Sequence, residues 1–312
     1  DHSENAQKGG TVMEQAKQID VKKLKVSKKV FNPGPARSRT GNVINFLFLC
    51  LVGFFMVFPL IFIVSNAFKP MDELFMFPQK MLVRNPTLSN FTSISVLMSS
   101  SWVPFSRYIF NTLFVTIVAT FFHILLASLA AYVLEKREFP GRNFMSQIIV
   151  LSLMFTPAVT GIPNYIIQSK LGMIDTYWVL IIPYIGSSMG LYLMKQFMSS
   201  SIPNTLLEAA RIDGASELRI FTRIVMPLVK PAWLTMLMTS VQSMWGMTGN
   251  TVIFSEAKKP LNYALSQIGT GGVARQGAAA AVTLIMIIPP LLVFILSQSR
   301  ILDTMASSGI KE

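Results

Sequence analysis

Long apolar blocks constrain this chain more than any other feature. From Val43 to Val64 there is no charged residue, and comparable stretches recur to the end of the sequence. Blocks of about 18 or more apolar residues are what a hydrocarbon core of about 30 Å demands. The blocks are apolar all round and not along one stripe, which a soluble amphipathic helix would show. Composition agrees: 52% of the 312 residues are hydrophobic and 13% charged, against about a quarter charged in an average soluble domain. The reading is an all-α, polytopic membrane protein.

The net charge of +12 raises the question of nucleic acid, and its distribution answers it. Nine of the 27 Lys and Arg residues precede residue 43. A basic run beside a membrane span reads as a topogenic signal and an attraction to anionic lipid headgroups. No nucleic-acid-binding motif accompanies it, so nucleic acid is not an expected partner. The single cysteine, Cys50, lies within an apolar span and can form no intrachain disulfide.

Residues 1–41 read as a polar, basic cytoplasmic tail broken by Asn32-Pro33-Gly34-Pro35, and residues 42–312 as the transmembrane domain. Six spans are expected, at about Val43–Asn66, Tyr108–Leu134, Phe144–Ile162, Thr176–Met198, Leu228–Thr248 and Ala278–Ser297. The third is interrupted by Pro157. With both termini inside, 19 of the 27 basic residues fall in inner segments and 8 outside, the direction of the positive-inside rule.

Residues 200–231 are too polar for lipid and too apolar for water. They read as two short helices joined by a tight turn. Ser201 is placed to cap the first, with Pro203 in its first turn. Asp213-Gly214 ends it, because glycine reaches the left-handed conformation without steric cost. Ser216 is placed to cap the second, which carries Leu218, Phe221 and Ile224 on roughly one face and stops before Pro227. Such an element wants a groove on another protein.

At this point the sequence resembles the permeases of bacterial binding-protein-dependent ABC importers. Their signature is Glu-Ala-Ala, three residues, Gly, nine residues, Ile, one residue, Leu-Pro. This chain has Glu208-Ala209-Ala210, then Gly214, then Ile224, and Met226-Pro227 in place of Leu-Pro. The resemblance implies a type I importer permease fold, and an ATPase-coupling role for Glu208, Ala209, Ala210, Asp213, Gly214, Ile224 and Pro227. It also implies the partners: a second permease, two ATPases that bind ATP and Mg, and an extracellular solute-binding protein. The loop 249–277 would then face outside, toward that binding protein. Asn111, Ala130-Ala131-Tyr132 and Phe139-Pro140-Gly141-Arg142 look like the maltose-type second permease of the carbohydrate branch, and the closing Ser308-Gly309-Ile310-Lys311-Glu312 looks most like its subgroup for complex oligosaccharides. The location implied is the bacterial cytoplasmic membrane. Another solute moved by the same machine is the nearest alternative; an ion-gradient carrier is the next, disfavoured because no acidic residue lies clearly inside a span.

A sugar crossing a membrane needs partners for its hydroxyls and flat apolar faces for its C–H surface. Polar or aromatic residues within or ending the spans are therefore substrate-path candidates: Asn164, Tyr165, Gln168, Tyr184, Ser187, Gln242, Ser243 and Trp245. Where many sugar permeases read Trp-Asn-Asp, this chain has Trp245-Gly246-Met247, which shifts sugar contact toward the partner permease. Gly186-Ser187-Ser188-Met189-Gly190 matches a hydrolase nucleophile elbow, which needs a strand, a turn, a helix and a base; close helix packing explains it better. His123 reads as a neutral imidazole bonded to a neighbouring helix. No phosphate loop, metal-ligand cluster or catalytic constellation is present in the sequence, so ATP hydrolysis is assigned to partners.

Overall fold

The computed structural model describes residues 39–308 apart from 100, 101, 271, 273 and 274, and every regular element among the described residues is helical. The basic tail therefore lies outside the described residues except at its last positions. By contacts the chain divides after Met56, with Val57–Glu312 as the larger unit.

Thirteen helices are named here: α1 (Arg39–Phe68), α2 (Met71–Leu74), α3 (Ser89–Ser99), α4 (Phe105–Lys136), α5 (Arg142–Ser152), α6 (Pro157–Lys170), α7 (Trp178–Ile185), α8 (Ser188–Ser201), α9 (Asn204–Ile212), α10 (Glu217–Leu228), α11 (Lys230–Trp245), α12 (Leu261–Gly269) and α13 (Gln276–Ser308). Three of them, α1, α4 and α13, are long and apolar enough to cross a membrane. Two further crossings exist if each of the bent pairs α5–α6 and α10–α11 counts as one.

The expected spans fare unequally. The third breaks after Ser152, and α6 sets off at 110° to α5. Pro157 stands at the start of α6, where its missing N–H costs nothing. The fourth splits at Gly186 and Ser187 into α7 and α8, about 12 and 21 Å long at 1.5 Å per residue. Neither reaches across a bilayer alone. The fifth meets α10 at a 76° bend next to Val229.

Helix α4 organises the larger unit. It contains neither Gly nor Pro, and it contributes to all three apolar clusters. Near its C-terminal end Ala127, Ala131 and Tyr132 pack with Met194, Met198, Leu207 and Phe221. In its middle Val115 and Ala119 meet Val179, Ile181 and Met244. Near its N-terminal end Tyr108 joins Trp245, Leu265 and Ala281. Small residues at 119, 127, 128 and 131 let the neighbouring backbones approach, which is how helices associate where lipid supplies no hydrophobic contrast.

Candidate functional site

The polar stretch near residues 200–231 is a helical hairpin, α9 and α10. Gly214 has φ +78°. Its N–H donates to Arg211 O and the Ala215 N–H to Ala210 O, both at 3.0 Å. This pair of bonds is the Schellman closure that a left-handed residue permits. No atom lies within 4 Å of where a Cβ would sit, so the backbone angle, not space, requires glycine.

Three local expectations need correction. Ser201 ends α8, and Pro203 occupies the cap position of α9. Ser216 does precede α10, but its side chain makes no capping bond. The buried face of α10 is Ile220, Phe221 and Val225, with Ile224 half-buried, whereas Leu218 is 69% exposed. A π-turn over Phe221–Val225, in which the Met226 N–H reaches back to Phe221 O, adds a residue to the ladder and shifts the facing. Besides Leu218, Ile212 is 86% exposed, and Glu208, Ala209, Asp213 and Gly214 are exposed too. Ala210 is buried and Pro227 exposed.

The hairpin is fastened to the last turns of α4. Glu217, at the head of α10, accepts from the Tyr132 hydroxyl at 2.7 Å and from Arg211 Nε at 2.9 Å, and pairs with Arg137. Partial burial pushes its carboxyl up, but the Tyr132 and Arg211 hydrogen bonds and the Arg137 charge outweigh this and hold it below the ordinary carboxylate range. Lys136 Nζ donates to Ile202 O at 2.6 Å, just ahead of α9. Sequence reasoning missed Glu217, Arg137 and Lys136, because nothing in spacing brings residues 132–137 and 202–217 together.

A cleft of about 740 Å³ opens between α6, α7, the start of α8 and the 247–252 turn. It gathers four of the eight substrate-path candidates: Asn164, Gln168, Tyr184 and Ser187. Tyr165, Gln242 and Ser243 are exposed elsewhere. Trp245 is buried, and its indole N–H donates to Met286 O on α13 at 3.0 Å. Sequence reasoning missed Thr160, Asn250 and Thr251, which add hydroxyls and an amide to the lining. No ionised side chain lines this cleft among the described residues.

The elbow-like run is a helix–turn–helix, not a strand–turn–helix. Ser188 Oγ receives a bond from Ser152 Oγ at 2.6 Å. A Cβ on Gly190 would lie 2.2 Å from His123 Nε2, so the glycine lets α8 close on the imidazole. His123 Nδ1 stands 3.1 Å from Ile185 O, the placement of a donor to a neighbouring helix. Among the described residues no group of His, Cys, Asp and Glu could hold a metal ion.

The Gly-rich segment expected as an open loop at 249–277 is largely built. A 3₁₀ turn at Glu256–Lys258 and helix α12 occupy its centre. Asp175, with φ 60°, accepts from the N–H groups of Phe254 at 3.0 Å and Ser255 at 2.8 Å, from the Ser255 hydroxyl, and from Lys258. The Ser255 bonds, with lesser help from Phe254 and Lys258, lower its pKa to about 2.

Comparison with known proteins bears on this geometry. A family model described as "Binding-protein-dependent transport system inner membrane component" matches residues 113–305. Protein LplC of Bacillus subtilis (strain 168) is 30% identical over 294 residues, covering 88% of this chain and 95% of that protein. The galactooligosaccharides transport system permease protein GanQ of the same organism is 28% identical, covering 86% of this chain and 94% of its own length. A bacterial ABC transporter involved in the import of the acidic polysaccharide alginate contains a chain of similar fold. Its TM-score is 0.71 at 23% identity, and the match covers 85% of this chain and 99% of that one.

Proposed function

The chain belongs to the family of binding-protein-dependent transport system inner membrane components, and from that premise we propose that it moves a neutral sugar or oligosaccharide inward as one of two permeases driven by partner ATPases. It is a transport subunit of the inner membrane. The observation that carries the reading is the hairpin: a fixed left-handed turn at Gly214 presents Ile212 and Leu218 outward beside Glu208 and Ala209. An apolar tip on a polar hairpin fits a groove on an ATPase. ATP and Mg belong to that partner, and a solute-binding protein would deliver cargo at the segment 249–277.

The polypeptide would cross six times with both termini inside, α7 and α8 together making the fourth crossing. The cleft supports the cargo class. Asn164, Gln168, Asn250, Ser187 and Thr251 offer amide and hydroxyl groups, and Tyr184 offers a ring face, the mixture that a polyhydroxylated molecule matches. Transport would proceed by alternating access, closure of the ATPases pulling on the hairpin.

The test is uptake in membrane vesicles loaded with ATP. Uptake of a neutral oligosaccharide should stop on ATP depletion and continue when ion gradients collapse. The reverse pattern would replace this reading with an ion-driven carrier.

A further inference from the structure

Two routes connect the hairpin to the rest of the molecule. Along the chain, α10 leaves through the π-turn at Phe221–Val225 and the 76° bend before α11, both compliant places in a helix. Across space, the end of α4 grips both halves of the hairpin. Lys136 bonds Ile202 O ahead of α9, while Tyr132 and Arg137 meet Glu217 at the start of α10. Tyr132 is only 5% exposed, and its ring centre lies 5.6 Å from that of Phe221. The second route is the stiffer one.

Helix α4 then runs 32 residues without a glycine or proline, about 48 Å. At its other end it is fastened again. The Tyr108 hydroxyl donates to Glu256 Oε1 at 2.6 Å, and Asn111 Nδ2 donates to Ala257 O and Lys259 O, both at 2.9 Å. Thr112 Oγ1 accepts the Leu261 N–H at 2.7 Å. Asn111 and Thr112 are almost wholly buried. One rigid element thus joins the coupling hairpin to the segment proposed to meet the binding protein.

We propose that α4 is the rod that carries the docking signal between these two surfaces, with Tyr132 and Glu217 as positioning residues at its inner joint and Tyr108 at its outer one. The proposal rests on the coupling function proposed for the hairpin. A purely structural role for these bonds would alter stability and assembly; the rod predicts a specific loss of communication.

The experiment uses the whole complex, captured by a tag on this chain and reconstituted in liposomes with the binding protein that purifies with it. ATP hydrolysis is measured with and without that binding protein, and sugar moved per ATP is measured alongside. Tyr132→Phe and Tyr108→Phe, each removing one hydroxyl, should lower stimulation by the binding protein about five- to tenfold, the lower end of a typical coupling between sites. Glu217→Ala should lower it further, and Glu217→Gln, which keeps an acceptor for Tyr132, should restore part of it.

Wild-type stimulation in Tyr132→Phe and Glu217→Ala, or in Tyr108→Phe, would overturn the proposal. If Glu217→Ala fails to assemble, Tyr132→Phe decides alone. Gly214→Asp separates this proposal from the reading beneath it. If Gly214→Asp uncouples while the rod variants do not, only the rod fails; if Gly214→Asp couples normally, the hairpin's function fails first.

Discussion

Gly190 sits where α8 meets α4, and a Cβ there would lie 2.2 Å from His123 Nε2 and 2.8 Å from Met236 Cε. Gly190→Ala must push the imidazole away and strain its contact with Ile185 O. Overpacking of this kind costs about 1–3 kcal/mol, and thermal unfolding of the purified protein should fall by several degrees. Gly214 is the opposite case: the space is open but φ is +78°. Gly214→Ala should cost about 1–2 kcal/mol through the backbone alone, and Gly214→Asn less, since Asn tolerates the left-handed region. Equal melting losses for Ala and Asn would reject the backbone explanation. The two glycines differ equally in legibility. Asp213-Gly214 after an amphipathic run announces a helix stop in sequence. Gly190 reads only as a small residue in an apolar stretch, because the atom that demands it belongs to another helix.

At the scale of elements, the spans were legible where a single helix supplies them, as in α4 and α13. They were not legible where the chain breaks. Residues 144–170 are apolar on both sides of the 110° bend, and hydropathy is blind to direction. Pro157 marked an interruption but not its angle. The bend has a testable consequence, because Phe155 lies in the break and lines the cleft. With Cys50 replaced by serine, a cysteine at Phe155 should react with a water-soluble thiol reagent, while one at Phe121, 60% exposed on the apolar side of α4, should not. Equal protection of both would mean that the cleft is dry. The segment 249–277 offers a second test. Asp175 has a folded pKa of about 2, below the roughly 3.9 of a free aspartate. Its contribution is therefore complete above about pH 4 and is lost as pH falls through 2. Proteolysis near residues 249–261 should be flat between pH 7 and 4 in the wild type. Asp175→Asn should raise it at pH 7, since an amide cannot serve both backbone N–H groups, the Ser255 hydroxyl and the Lys258 ammonium as acceptor.

For the molecule as a whole, the orientation rests on charge and the proposed function on the hairpin, and the two arguments must agree. The hairpin can serve an ATPase only on the side where ATP is found. Basic residues select the same side, since Arg211, Arg219, Arg223 and Lys230 lie in and beside it and positive charge is retained inside. The six crossings proposed would put residue 270 on the opposite face. In the Cys50→Ser background, a cysteine at Thr270 should react with a membrane-impermeant thiol reagent in intact cells, and one at Asp213 only after the membrane is opened. Both positions reacting from outside would remove a crossing between α10 and α12, and the hairpin would lose its access to ATPases. Both protected until opening would keep the hairpin inside but bring the segment 249–277 in with it, leaving α4 fastened at both ends to one compartment. Only opposite reactivity lets a single helix join two docking surfaces across a bilayer.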